Sequence, residues 1–222
     1  MRKLMVVVLA MALWGTGSAF AGSGAALSKA EIRQAEQWLK DLGYWTGPVD
    51  GVWDGASRHA LIAFQKLAGA RPTGRLTRAE HNALSVAVPP VPKEATGGMH
   101  VEVDVARQVL FLVDAEGKAG NVVPISSGTG KRFKEPGYPE AQAVTPCARL
   151  EVYQKVSGWR KSPLGVMFNP LYVVGGIAIH GSPDVPPYPA SHGCIRIPMY
   201  AAEILPKMVP VGTPVLIYGC AE

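Results

Sequence analysis

Cysteine is scarce in this chain. Three cysteines in 222 residues exclude a disulfide-stapled scaffold and any four-cysteine zinc ribbon. Charge is thin too, at 18% of residues. The 22 lysines and arginines are scattered with no run of five or six, which argues against a nucleic-acid partner. No apolar run reaches the ~20 residues that span a bilayer. What the chain does have is 48% apolar residues, which excludes wholesale disorder, and 25 glycines with 19 prolines, which favour turns and strands over a long helical bundle. Its length suits one large domain or two small ones. A net charge of +5 suits a polyanionic partner.

The N-terminus has the layout of a secretory signal. Arg2 and Lys3 precede the apolar run Leu4 to Trp14, Gly15-Thr16-Gly17-Ser18 breaks it, and Ala19-Phe20-Ala21 places small residues at the −3 and −1 positions of a cut. Residues 1–21 are therefore expected to be removed. The mature chain is expected to be exported, to the periplasm or the cell wall and beyond, with no membrane attachment once the signal is cleaved. No cysteine stands near the cut to carry a lipid.

Beyond it the hydrophobic period changes once. Over residues 28–85 it is helical. Ser28-Lys29-Ala30-Glu31 is a capping box, followed by Ile32, Ala35, Leu39 and Leu42 at helical spacing, with Gly43 as the stop. A second helix is predicted from about Gly55 to Ala68 and a short third one from the capping box Thr77-Arg78-Ala79-Glu80. Residues 86–98, with Pro89, Pro90 and Pro92 followed by Gly97-Gly98, read as a semi-extended linker. It fixes a distance range between two modules but no pose. Over residues 99–218 the period drops to two. His100, Glu102 and Asp104 alternate with Val101, Val103 and Val105, predicting a strand with one buried face. Further strands are predicted at Val109–Val113, Asn121–Ser126, Arg149–Lys155, Leu171–Val174, Ile177–His180 and Val215–Tyr218, with one helix near Tyr200–Leu205. The fold class is multi-domain α + β: a small three-helix module, then a mostly β domain.

The chemistry concentrates in Ile177-Ala178-Ile179-His180-Gly181 and, ten residues later, Ser191-His192-Gly193-Cys194-Ile195-Arg196. A thiol is a poor nucleophile at neutral pH because its thiolate is the attacking species. An imidazole such as His180 accepts that proton and returns it to a leaving amine. Gly193 lets the backbone approach a substrate, and the Cys194 amide could stabilise an oxyanion. If Cys194 to Ile197 is extended, Cys194 and Arg196 share one face while Ile195 and Ile197 anchor the other. Arginine so placed could hold a carboxylate.

This hexapeptide, preceded by His180-Gly181, resembles the signature of L,D-transpeptidase catalytic domains. The similarity extends over most of residues 99–218 and includes Gln108, Ser127-Gly128, Thr145-Pro146 and Val209-Pro210-Val211-Gly212-Thr213-Pro214-Val215. The resemblance implies a β-rich fold with Cys194 as nucleophile and His180 as general base. Ser191, His192 and Gly193 would support the site and its oxyanion, and Arg196 would line the substrate groove, with Tyr188 and Trp159 as further substrate contacts. It implies action on peptidoglycan stem peptides: attack on the third residue, release of D-alanine and transfer to an amine, giving 3-3 cross-links. β-Lactams of carbapenem type would be covalent inhibitors. The mechanism requires no cofactor or metal. The gap from His180 to Ser191 is shorter than the family pattern, and Cys147-Ala148 replaces a small residue and glycine. Leu42-Gly43-Tyr44, Gly47, Asp50-Gly51, Ala60, Phe64-Gln65 and Thr73-Gly74 are similar to the three-helix peptidoglycan-binding module. Asp54-Gly55 and Ser57 depart from its helix start, where either Asp54 or Ser57 could cap. Trp45 and Trp53 are candidate ligand contacts, with core packing the better reading for at least one.

Other readings stand beside these. Cys194 could be a buried structural thiol, or His180, His192 and Cys194 could bind zinc, although no fourth ligand is evident. Cys147 and Cys220 could pair as a disulfide in an oxidising compartment or remain two thiols. His59, His81 and His100 read as surface or capping residues. Trp159-Arg160-Lys161 with the segment Phe168–Tyr172 reads either as a lid with cations facing substrate carboxylates or as a plain hairpin. The alternatives for function are an L,D-carboxypeptidase, in which water replaces the acceptor amine, and a non-catalytic cell-wall-binding protein.

Overall fold

A computed structural model describes residues 26–94, 98–136 and 139–220. The expected signal segment, residues 1–21, lies outside the described residues, as do residues 95–97 of the linker. Among the described residues no helix is long and apolar enough to cross a membrane.

The helical module contains α1 (Lys29–Asp41), α2 (Gly55–Leu67) and α3 (Arg78–Ser85). Both capping boxes form: Ser28 with Glu31, and Thr77 with Glu80. Asp54 caps α2 by accepting the Ser57 N–H at 2.8 Å. Ser57 is free for another task, donating its hydroxyl to the buried carboxylate of Glu36 at 2.9 Å. Glu36 also accepts the amides of Asp50 and Gly51 at 3.1 and 2.9 Å, so this buried acid is fully used in tying the α1–α2 loop to α1.

The β domain contains β1 (His100–Asp104), β2 (Val109–Val113), β3 (Ala119–Pro124), β4 (Arg132–Phe133), β5 (Ala141–Gln142), β6 (Ala148–Glu151), β7 (Gln154–Lys155), β8 (Trp159–Ser162), β9 (Gly165–Val174), β10 (Ile177–Ser182), β11 (Ile195–Pro198), α4 (Met199–Met208) and β12 (Pro214–Tyr218). One sheet has the order β3-β2-β1-β12-β6; the other runs β11-β10-β9-β7 with β8 added to β9. The single strand predicted over 149–155 divides because the chain changes sheets there. Val152, fully buried, exchanges backbone bonds with Thr213 and Gly212 at the corner, leaving β6 in one sheet and β7 in the other.

The main core lies between the sheets. Val101, Val103, Leu110 and Leu112 meet Leu171, Val173, Ile179, Ile195 and Ile197, and α4 closes one side with Ala201 and Leu205. The other face of β2 and β3 is buried as well. Val109, Phe111, Val113, Ala119 and Val122 share a second core with Ala35, Leu39, Tyr44, Ala60, Leu61 and Leu84 of the helical module. The two modules are thus packed face to face, a pose that the proline linker alone left open. The contact is pinned by backbone: Trp45 N–H to Val122 O at 3.0 Å and Val122 N–H to Gly43 O at 2.9 Å. At Gly43, φ is +88° and a Cβ would lie 2.9 Å from Ala119 O, so glycine is required.

Strand β1 departs from expectation. Its polar face, His100, Glu102 and Asp104, is buried rather than exposed. The end of the linker covers it: Glu102 accepts the amides of Lys93 and Glu94, both at 2.7 Å, and Arg149 forks onto Glu94. His100 is therefore no surface residue. His81 is buried against Trp38. Trp45 and Trp53 border the two cores, and Trp53 donates its indole N–H to Gly74 O at 3.2 Å, so both are packing residues here. Cys147 and Cys220 form a disulfide, closing the chain end beyond β12 onto the start of β6.

Candidate active site

Strands β10 and β11 run parallel with Ile179 opposite Ile195 and His180 opposite Arg196. Alternation sends Ile179, Ile195 and Ile197 into the core, where each is at most 1% exposed. The same alternation puts His180, Arg196 and, two residues before it, Cys194 on the opposite face. There His180 and Cys194 line one cavity of about 730 Å³ together with Ser191, His192 and Arg196.

His180 is buried, and its Nδ1 lies 2.9 Å from Gly181 O. A carbonyl only accepts, so Nδ1 carries the proton and Nε2 offers a lone pair. Burial pushes the imidazole pKa down to about 4; the Gly181 bond opposes this and the charge of Arg196 adds to it. Cys194 is a free, half-buried cysteine whose Sγ lies 3.7 Å from Gly176 O. Burial pushes its thiol pKa up, against a backbone hydrogen bond at Ala178 and the Arg196 charge. The resting pair is therefore a neutral thiol and a neutral imidazole.

The loop into β11 is built around Cys194. Gly193 has φ +133°, and a Cβ there would meet Val144 O at 2.9 Å. Its N–H donates to Ser191 Oγ at 3.0 Å, while the Ser191 hydroxyl donates to Cys194 O at 2.5 Å. His192 is exposed and packs edge-on against Phe133 of β4. Arg196 Nη1 stands 3.6 Å from Asp184. Among the described residues, the cavity wall carries three cations, Arg160, Lys161 and Arg196, against the single carboxylate of Asp184. The β8–β9 hairpin supplies two of these cations. Tyr188 and Trp159 stand outside the cavity lining. Tyr188 is 62% exposed and contributes its carbonyl to the Ser126 hydroxyl at 2.8 Å; Trp159 leans on Phe168 at the outer end of the hairpin. No three His, Cys, Asp or Glu side chains among the described residues converge as a metal site.

Residues 98–217 match the L,D-transpeptidase catalytic domain (YkuD). The chain belongs to the L,D-transpeptidase family. Residues 28–84 match the putative peptidoglycan binding domain. An L,D-transpeptidase of Xylanimonas cellulosilytica is similar in structure, with 36% identity, 89% of this chain and 95% of that one covered, and a TM-score of 0.79. Localization factor PodJL of Caulobacter vibrioides is 41% identical over 61 residues, 28% of this chain; the match spans 6% of that curated relative's length.

Several residues of the L,D-transpeptidase resemblance lie behind the cavity and hold its wall. Gln108, at φ +56°, donates from Nε2 to Val105 O and Ser127 Oγ, both at 2.6 Å, and accepts the Ser127 N–H at 2.9 Å. Ser127 O accepts the amides of Ala190 and Ser191 at 3.0 and 2.9 Å. Thr145 accepts the Gly128 N–H at 2.9 Å and donates to Gly193 O at 2.7 Å. Gly128 has no room for a side chain, since a Cβ would lie 2.2 Å from Ala143 O. Tyr172, at the end of the segment read as a lid or a hairpin, lines the cavity, and so does Phe133, which carried no sequence signal of its own. Phe133 sits on a two-residue strand, too short for any period to register.

Proposed function

We propose that this protein is an exported L,D-transpeptidase in which Cys194 is the nucleophile and His180 the general base. The observation that carries the reading is the placement of Cys194 and His180 on one face of the β10–β11 pair, in one cavity, with the imidazole tautomer that can accept a proton. The Cys194 Sγ–H proton moves to His180 Nε2 as sulfur attacks the carbonyl of the third stem residue. Collapse of the tetrahedral intermediate leaves a thioester and expels D-alanine, whose amine takes the proton from the imidazolium. An acceptor amine then attacks the thioester, gives up its proton to His180 and restores the thiol, completing a 3-3 cross-link. The Gly193 N–H is already engaged by Ser191, so the oxyanion falls to the Cys194 amide. The three cations of the wall suit the carboxylates of a stem peptide. Peptidoglycan stems and glycan strands are thus the proposed partners, the latter through the helical module. A strained β-lactam amide of carbapenem type would acylate the same sulfur.

Export is supported by the signal-like segment at residues 1–21 and by the Cys147–Cys220 disulfide, a bond that persists in oxidising compartments. Incubation of the mature protein with stem tetrapeptide, with and without an acceptor amine, tests the activity. Cross-linked dimer with released D-alanine is the expected product; tripeptide alone identifies the carboxypeptidase, and no product identifies a wall-binding protein.

A further inference from the structure

Lys66 of α2 is buried at 8% exposure, yet no ion pair among the described residues involves it. Its Nζ reaches out of the helical module to two backbone carbonyls of the β domain, Gln108 O at 2.9 Å and Ile125 O at 3.1 Å. Burying an ammonium without a counter-ion is costly, and burial pushes its pKa down to about 7. The ammonium has three hydrogens and the neutral amine two, so either form can donate to both acceptors.

Both carbonyls belong to residues that lead directly into the frame of the nucleophile loop. Gln108 holds Ser127 through both ends of its side-chain amide. Ser127 O holds Ala190 and Ser191, and Ser191 holds the Cys194 carbonyl. Ile125 precedes Ser126, which pairs its backbone both ways with Arg196 at 3.0 and 3.1 Å. At φ +56°, Gln108 occupies a backbone region that a non-glycine residue holds only under constraint, and Lys66 grips its carbonyl.

We infer that Lys66, a residue of the helical module, is a positioning residue for Cys194, acting through Gln108 and Ser127 on the loop that ends at the nucleophile. The inference rests on Cys194 being the acylated group. It makes the helical module part of the catalytic frame rather than only a tether to the wall.

The test compares full-length mature wild type and Lys66→Met, which keeps the apolar stem and removes the donor. Two readouts are needed: the rate of Cys194 acylation by a carbapenem, followed by intact mass, and amide hydrogen exchange. The expected result is acylation slowed about tenfold or more. Faster exchange should be confined to residues 126–130 and 189–196, with β1 and β12 unchanged. A purely structural lysine lowers thermal stability but leaves acylation of the folded variant at the wild-type rate, which overturns the inference while the proposed function stands. If wild type is not acylated, the proposed function fails and the exchange arm decides alone: local loss of protection supports the link, and no change overturns it. Should Lys66→Met not fold, Lys66→Leu, which also lacks a donor, is read in the same way.

Discussion

The environment of His180 suits the proposed role of base because it keeps the ring neutral. Burial holds the ring pKa down to about 4, so Nε2 is open at neutral pH and closes only in acid. The acylation rate should therefore stay nearly flat down to about pH 5 and fall as pH drops through about 4, where the ring protonates. Folding stability shares this sign. Below the ordinary imidazole value of 6.5 the unfolded chain binds a proton that the folded one refuses, so His180 destabilises the fold progressively between there and about pH 4. His180→Ala should slow acylation about 10²- to 10⁴-fold without loss of the fold, as measured by intact-mass kinetics and circular dichroism. Near-normal turnover would remove the base assignment. Gly193 acts at the same scale through geometry. Gly193→Ala must place a Cβ 2.9 Å from Val144 O at φ +133°. It should cost about 1–3 kcal/mol in denaturant unfolding, with acylation falling by about tenfold or more as Cys194 shifts.

In the proposed function the β8–β9 hairpin is the element that joins fold to specificity. The sequence reads as a hairpin or a lid; the structure has a hairpin that lines the cavity with Arg160 and Lys161 while Trp159 stays outside. Alternation does not explain the split, since adjacent Arg160 and Lys161 both reach the wall although the β8–β9 pairing is regular. Replacing both with alanine should raise KM for an anionic stem peptide about threefold to tenfold while kcat changes little, and added salt should mimic the effect in wild type. An unchanged KM would assign substrate charge recognition to Arg196 alone. The β10–β11 pair was more plainly legible. Cys194 and Arg196 against Ile195 and Ile197 is a period-two pattern, and the structure keeps it.

The whole molecule is two modules sharing one sheet. The signal for this was present in Val109–Val113, five apolar residues without alternation, the mark of a strand buried on both faces. The second covering surface was the helical module itself, which no local pattern specifies. Glu102 and His100 misled for the converse reason: polar residues at alternate positions normally face water, but here the linker end brings backbone amides to Glu102. Lys66 was invisible as more than a helix residue because its partners lie 42 and 59 positions away. The Cys147–Cys220 disulfide spans 73 positions, and Cys147→Ser with Cys220→Ser should lower unfolding stability by about 2–4 kcal/mol in denaturant titration. In the proposed chemistry one sulfur, that of Cys194, receives the acyl group. Intact mass after exposure of mature protein to a carbapenem tests it most directly. One adduct is expected on wild type, mapped to Cys194 and absent from Cys194→Ala. A wild type that stays unmodified from about pH 6 to 9, where free thiols begin to ionise, would contradict it.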